Sequence, residues 1–380
     1  MNADTAATQR IARLTPLADV LALLGQIAPV TAQDVQVAKA LGHVLAADTI
    51  AATAQPSAAL AARDGWAVDA ETTRDAGPYA PMMLPTSTQR IDAFAPMPPG
   101  TDAVAPIDAV TVVGGMTQIM APVASGEGVL PHGGDAEGGA VLRKAGTRLR
   151  AIDVTSLTAL GLTQVSIRMP RIRIVLARSG DEILQSIGVF LTSAARSAGA
   201  DVTLADVTLA HVTLADDLDA ALRDTQVDAV IGVGGTGSGH NDRAVTALSR
   251  AGTLACHGIG ISPGETAAFG YAEKRPVLLI PGRIDAALAC WLTLMLPLIT
   301  QLSGCIANQI VFSAKLSRKI TSTIGLAEVI PVRRDGDTIT PLASGMLPLQ
   351  TLLQADGWFL VPADSEGYPA GTVVPVRPLP

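Results

Sequence analysis

Aromatic residues are scarce in this 380-residue chain: Phe, Trp and Tyr together make up 3% of it. A stacking platform for single-stranded nucleic acid needs several exposed rings, so this composition argues against one. Positive charge is also short, with 27 Lys and Arg against 34 Asp and Glu and a net charge of -7. A chain of that sign has no general attraction for nucleic acid or for an anionic membrane surface. Cysteine is nearly absent. Cys256, Cys290 and Cys305 are odd in number and show no C-x-x-C spacing. That argues against a disulfide framework or a cysteine zinc site and fits a reducing cytoplasmic setting. The opening residues M-N-A-D-T-A-A-T-Q-R contain no apolar signal region. The most membrane-like stretch, Ala286 to Thr300, holds Pro297 and is too short to span a bilayer, so a buried core helix is expected there.

What the chain has is 48% hydrophobic and 16% charged residues, the balance of a soluble globular protein. Its length calls for roughly two to four domains. One stretch organises the rest: Val227 to Asp242, reading V-D-A-V-I-G-V-G-G-T-G-S-G-H-N-D. The β-branched run Val227, Val230, Ile231 and Val233 predicts a buried strand of a parallel sheet. Gly232, Gly234, Gly235, Gly237 and Gly239 follow, then Asn241 or Asp242 as a cap for a helix over Arg243 to Arg250. A strand, a glycine turn and a helix start aim backbone N–H groups at one point, which suits a phosphate or another anion. A tight turn with no ligand has the same pattern.

Around that stretch, Thr15 to Leu45 reads as helical in two pieces, with Leu17, Val20, Leu21, Leu24 and Ile27 at helical spacing. Arg63-Asp64-Gly65 is a turn leading into a strand at Trp66, and Gly77 to Gly115 is β-rich and barrel-like. Ile152 to Leu160 is a helix stopped by Gly161. From Arg171 to Pro297 strands and helices alternate, as in a three-layer α/β domain with a mainly parallel sheet. Ligands of such a sheet bind at the carboxyl ends of its strands. Val202 to Asp216 carries a fivefold repeat, V-T-L-A-D, V-T-L-A-H, V-T-L-A-D, too short for a solenoid and read as a strand plus an extended connection. Ile324 to Pro380 reads as a small all-β domain.

Three strand-to-helix turns therefore belong to one sheet: Ser179–Glu182, Gly232–Asp242 and Pro281–Arg283. Ser179-x-x-Glu182 is also a capping box, and Asp242 is also a plain helix cap. If Glu182 or Asp242 faces the cleft, its carboxylate suits a divalent cation beside a phosphate. Gly232-x-Gly234-x-x-Gly237 matches the dinucleotide fingerprint, but no Asp or Glu lies between Arg243 and Gly264, which argues against a nicotinamide or flavin site. Ser179 lacks the G-x-S-x-G context of a hydrolase elbow. His132 and Asp135 show no further metal-ligand spacing. His240, inside the glycine loop, is a solvent-facing residue or a donor to an anion.

These residues resemble the molybdopterin molybdenumtransferase family, bacterial MoeA and the gephyrin E domain. Ala62-Arg63-Asp64-Gly65-Trp66-Ala67-Val68 is similar to its A-M-D-G-Y-A-V, Gly134-Asp135 to its G-E-D, and Ala145 to Leu149 to its A-G-T-x-L. Ser179-Gly180-Asp181-Glu182-Ile183-Leu184 resembles T-G-D-E-L. Gly234-Gly235-x-x-x-Gly239 with Asp242 resembles G-G-x-S-x-G-x-x-D, and Pro263-Gly264 and Pro281-Gly282 resemble P-G-K-P and P-G-N-P. The resemblance covers most of the chain. It implies a four-domain homodimer with a cleft shared between subunits. Its layout here would be an elongated linker and dimerisation domain (1–45 and 126–168), a barrel-like insertion (46–125), the α/β molybdopterin-binding domain (169–306) and a C-terminal β domain (307–380). It implies attack of molybdate on adenylylated molybdopterin with release of AMP, assisted by Mg²⁺. Carried across, Asp64, Glu182, Asp242 and Asp135 match catalytic carboxylates, with Glu182 and Asp242 holding the metal. Ser179, Gly180, Asp181, Gly234, Gly235, Gly237, Ser238, Pro263, Gly264, Pro281, Gly282 and Arg283 match the cofactor-binding positions.

The chain departs from that pattern at charged positions. Ser262 and Glu265 stand where the family has two lysines, and Arg283 where it has the asparagine of P-G-N-P. Thr236-Gly237-Ser238 replaces the usual serine-valine of the glycine loop. Leu184 runs almost directly into its helix, without the longer loop whose Ser/Thr-Asn pair touches the pterin. Two readings follow: a molybdotransferase, or a non-catalytic molybdopterin-binding paralogue that acts as carrier or partner of a molybdoenzyme.

Overall fold

The computed structural model describes residues 9–86, 88–178, 180–205, 226–240, 242–306 and 311–380. At its centre is a six-stranded sheet. Asp201–Ala205, Arg171–Leu176, Ala229–Val233 and Arg275–Ile280 lie side by side and parallel. Ala268–Ala272 then pairs antiparallel, followed by Thr253–His257 at the edge. Every residue of Ala229–Val233 is buried, as its near-continuous apolar run requires of a central parallel strand.

Helices cover both faces. Ala244–Ala251 seals one, with Ala244, Val245, Ala247 and Leu248 on Val175, Val230, Val277 and Leu279. Glu182–Ser197 packs on the other through Leu184, Ile187 and Leu191, beside the run Ile284–Ser303. Gly188 lets that helix come close, since a Cβ there would lie 3.1 Å from Leu204 and 3.2 Å from Leu176. Ile284–Ser303 is long and apolar enough to cross a membrane, yet it is core here, as the sequence predicts for Ala286 to Thr300. Its middle, Trp291–Met295, winds as a π-helix.

The N-terminal helix, Leu17–Gly25, forms as its spacing predicts, with Leu17, Val20 and Leu24 buried. The second helical piece does not form. Gln33–Gln36 and Val44–Leu45 are strands that pair antiparallel with Gln164–Arg168, joined by the short turn Val37–Lys39. Val35 opposite Val165 shows the physical reason: cross-strand pairing of β-branched residues outweighs local helical propensity, which tertiary context readily overrides. The barrel-like segment is β-rich as expected, with Gly65–Val68 between Gln89–Ile91 and Ala103–Ala105. Ala151–Ala159 is helical and Gly161 sits in the left-handed region at φ 82°. Of the fivefold repeat, Asp201–Ala205 is a strand, and the remainder lies outside the described residues.

The C-terminal part is mostly β, with one short helix at Leu349–Gln354. Its seven-stranded sheet also takes in two strands from earlier in the chain, Thr15–Pro16 and Ile259–Ser262. Ser262 pairs with Glu328 across that join, so the Pro263-Gly264 loop leaves directly from the junction of the two sheets.

Candidate active site at the sheet edge

The three predicted turns leave the carboxyl ends of three adjacent parallel strands, ending at Leu176, Val233 and Ile280. They touch. The N–H of Gly234 donates to the carbonyl of Ile280 at 2.8 Å. A Cβ on Gly282 would lie 2.8 Å from Leu184 Cδ2 and 3.3 Å from Gly234 Cα, so helix, first glycine turn and Pro-Gly turn meet with no spare room. Gly234 and Gly235 both take left-handed backbone, at φ 91° and 68°, which glycine adopts without steric cost.

The glycine loop is held from several sides. Gln9 is buried and its Nε2 donates to the carbonyls of Gly235 (3.0 Å) and Gly237 (2.9 Å). Its Oε1 accepts from the N–H of Thr246 at 2.9 Å, tying the loop to the helix that follows. His257 Nε2 lies 3.0 Å from the Thr236 carbonyl, and the Thr236 hydroxyl meets the Thr266 hydroxyl at 3.0 Å. That last bond joins the glycine loop to the Pro263-Gly264 loop.

Of the two predicted caps, Asn241 lies outside the described residues and Asp242 does not cap the helix. Arg243 is the N-cap and makes no side-chain cap bond. Asp242 turns back instead, its Oδ2 accepting from Gly239 N–H at 2.9 Å. A Cβ on Gly237 would come within 2.8 Å of that same oxygen, so the glycines make room for the carboxylate. At the first turn the N-cap is Asp181, whose Oδ1 accepts from Ile183 (3.1 Å) and Leu184 (3.2 Å) N–H groups. Its Oδ2 pairs with Arg178 at 3.1 Å, so Asp181 is spent on structure. The capping-box partner Ser179 lies outside the described residues. Glu182, the first helical residue, is exposed, and its carboxylate has no partner among the described residues. Gly180, at φ 73°, makes the turn before it. Ser238 and His240 are exposed in the glycine loop.

Pro263, Gly264, Glu265, Pro281 and Arg283 converge on one cavity of about 290 Å³. Its far wall is Gly345 and Met346 of the C-terminal part. Two buried carboxylates fix that wall. Glu328 accepts from Ser344 Oγ (2.7 Å) and Gly345 N–H (2.5 Å), and Asp285 accepts from Leu347 N–H (3.3 Å). Arg283 grips Asp285 with Nε at 3.1 Å and Nη2 at 2.6 Å. Burial alone would raise the Asp285 carboxyl, but Arg283 and the N–H groups of Leu347 and Ala286 hold it below its ordinary value. Arg283, which stands where the family has the asparagine of P-G-N-P, thus has a partner already. Glu265 folds onto its own loop, Oε2 accepting from Gly264 N–H at 3.1 Å. Cys290 beneath it is fully buried, and burial with the nearby Glu265 pushes its thiol far up, so it is inert packing.

Asp64 and Asp135 are exposed and line no part of this cavity. Asp64 Oδ1 accepts from Ala93 N–H at 2.7 Å, and the Asp135 N–H donates to Gln55. Sequence reading missed Gln9, Thr266 and Asp285. A lone glutamine near the N-terminus or an aspartate two residues after an arginine carries no pattern that would reveal them.

The arrangement defines a multidomain α/β protein whose sheet edge carries three strand-to-helix turns beside a cavity closed by a β-rich part; Glu182, Asp242 and the glycine loop lie outside the lining of that cavity. Profile matches agree part by part. Residues 9–161 match the MoeA N-terminal region (domain I and II), 177–301 a probable molybdopterin binding domain, and 313–379 the MoeA C-terminal region (domain IV). The chain belongs to the MoeA family. A molybdopterin biosynthesis protein of Methanocaldococcus jannaschii is 23% identical over 90% of this chain and 91% of its own. The molybdopterin molybdenumtransferase 2 of Mycobacterium tuberculosis is 26% identical over 90% and 94%. Two structures of a MoeA protein from Pyrococcus horikoshii superpose with a TM-score of 0.74, at 25% and 24% identity, over 97% and 96% of this chain and all of theirs.

Proposed function

We propose that this chain is a molybdotransferase of molybdenum-cofactor biosynthesis, taking adenylylated molybdopterin and molybdate and releasing AMP while the metal stays on the dithiolene. The observation that carries this reading is the convergence of the turns after Leu176, Val233 and Ile280 on one edge, in a chain whose ends match MoeA regions and whose middle matches a probable molybdopterin binding domain. Backbone N–H groups of Gly235 and Gly237 are the donors for phosphate, since that of Gly234 is already spent on the Ile280 carbonyl. Relatives are named as transferases, and nothing favours the carrier reading over this one.

The residues fit a magnesium ion. Among the described residues no group of three or more His, Cys, Asp or Glu gathers, but magnesium beside phosphate needs only one or two carboxylates. Glu182 and Asp242 Oδ1 have the open oxygens for it. Bound there, the cation would offset phosphoryl charge in a cleft that has Glu265 and no lysine on its Pro-Gly loop. In a homodimer, the exposed Asp64 and Asp135 would face the cleft of the second copy.

The test is AMP release from adenylylated molybdopterin on adding molybdate, with and without Mg²⁺. Release that needs both, and falls at least about tenfold in Glu182→Gln, supports the reading. Molybdate-independent release, or wild-type rates in Glu182→Gln and Asp242→Asn together, overturns it.

A further inference from the structure

A hydroxyl-lined cavity of about 270 Å³ lies where the two sheets join, next to the one that Pro263 and Pro281 line. Ser262 and Glu328 form its buried base, 6% and 4% exposed. They are register partners on adjacent parallel strands, Ile259–Ser262 and Ala327–Asp335, so their side chains leave the sheet on the same face. Thr321, Thr323 and Ser344, all exposed, stand around its mouth. Every polar side chain on the lining ends in oxygen, and no Lys, Arg or His is among them.

Glu328 therefore has no counter-charge in this cavity. Its Oε1 accepts from Ser344 Oγ at 2.7 Å and from Gly345 N–H at 2.5 Å. Its Oε2 has no partner among the described residues and is not sealed off from the cavity. The same holds for Ser262 Oγ. Ser344 spends its hydroxyl proton on Glu328, which leaves its lone pairs as acceptors, and the Thr321 carbonyl lies 3.5 Å from that hydroxyl. A buried carboxylate without a counter-charge is costly, and buried charges are normally paired or bound to a metal.

Oxygen donors without nitrogen or sulfur suit a hard cation. Ca²⁺ sites draw on several carboxylates, and Mg²⁺ gives up its waters reluctantly, which a buried base would demand. One carboxylate among neutral oxygens balances one positive charge. We propose that this cavity binds a single alkali cation, K⁺ or Na⁺, on Glu328 Oε2 and Ser262 Oγ, with the oxygens of the mouth completing the shell. The two cavities share Ser262 and Gly345, so the ion sits beside the candidate active site. It uses none of the glycine turns, and its binding does not depend on the transferase reading.

The test is thermal unfolding of the full chain in EDTA with KCl, NaCl or tetramethylammonium chloride at equal ionic strength. K⁺ or Na⁺ at about 100 mM should raise the midpoint by about 2 °C over tetramethylammonium and saturate in the millimolar range. The better of the two identifies the ion. Glu328→Gln keeps an Oε1 acceptor for Ser344 and Gly345 and should lose the cation response. Because that variant touches the wall Ser344 and Gly345 form, Ser262→Ala is the second, and should raise the half-saturating concentration by about threefold or more. Equal midpoints in the three salts, a cation response retained in Glu328→Gln, or an unchanged half-saturating concentration in Ser262→Ala overturns the inference. So does stabilisation by micromolar Ca²⁺, in buffer without EDTA, that Glu328→Gln removes while K⁺ and Na⁺ have no effect, which would assign the cavity to a divalent ion.

Discussion

Gly282→Ala tests whether the three turns meet as tightly as the geometry shows. The added Cβ would sit 2.8 Å from Leu184 Cδ2 and 3.3 Å from Gly234 Cα. Carbon atoms in good contact are about 3.5–4.0 Å apart, so the first overlap is severe and the second falls on backbone. Leu184 is 1% exposed and already packs near Gly234, so it has little space into which to turn. Overpacking of this kind costs about 1–3 kcal/mol. Gly282 is not in the left-handed region, so backbone strain adds nothing and the effect is purely steric. The assay is denaturant unfolding beside phosphate-ligand binding, with Gly25→Ala as control. A Cβ at Gly25 meets nothing within 4 Å at the end of a helix, so that variant should be neutral or slightly stabilising. The expected result for Gly282→Ala is a destabilisation of about 2 kcal/mol and a loss of ligand affinity larger than that of any control. A change below about 0.5 kcal/mol with binding intact would refute the packing of the turns.

Glu265→Lys removes a carboxylate and supplies a cation at the Pro-Gly loop. The charge reversal should lower the molybdate KM by roughly 5–30-fold after solvent screening, at a stability cost of about 1 kcal/mol from the lost bond to Gly264, and an unchanged KM in steady-state AMP release would count against it. Gln9→Ala leaves the Gly235 and Gly237 carbonyls and the Thr246 N–H without their partner; we expect a loss of about 2 kcal/mol and faster amide exchange in the glycine loop, and unaltered exchange there would show the loop is held otherwise. Asp153 is buried, which alone would raise it, but bonds from Arg150 and Arg143 outweigh this and hold it at about 2. Its folded value lies below the unfolded one, so its contribution of about 2 kcal/mol is full above about pH 4 and is lost as pH falls from there toward 2. Asp153→Asn should flatten that acid limb, and an identical pH–stability curve would contradict the assignment.

Much of the α/β part was legible because its signals are local and periodic. The run ending at Val233, the glycines after it and the 3–4 spacing of Leu184, Ile187 and Leu191 state their own structure. The segment around Val35 was not legible, since its strand exists only through a partner 130 residues away. The site divides the same way. Turns, glycines and the prolines Pro263 and Pro281 could be read, but the use of each carboxylate could not. Asp181 and Asp242 both precede a helix, yet only Asp181 caps one; Asp242 is drawn back by the N–H of Gly239, which sequence order does not reveal. Likewise the grip of Arg283 on Asp285, two residues on, has no pattern in the sequence that announces it.

Transfer of the metal is most directly tested by a single-turnover measurement that counts both products. Purified chain is mixed with a stoichiometric amount of adenylylated molybdopterin, excess molybdate and Mg²⁺, and AMP and dithiolene-bound molybdenum are quantified over time. The two should appear together in a one-to-one ratio, and both should be lost without molybdate or without Mg²⁺. AMP formed with no molybdenum on the dithiolene, or neither product despite bound pterin, would contradict a transferase built on this sheet edge.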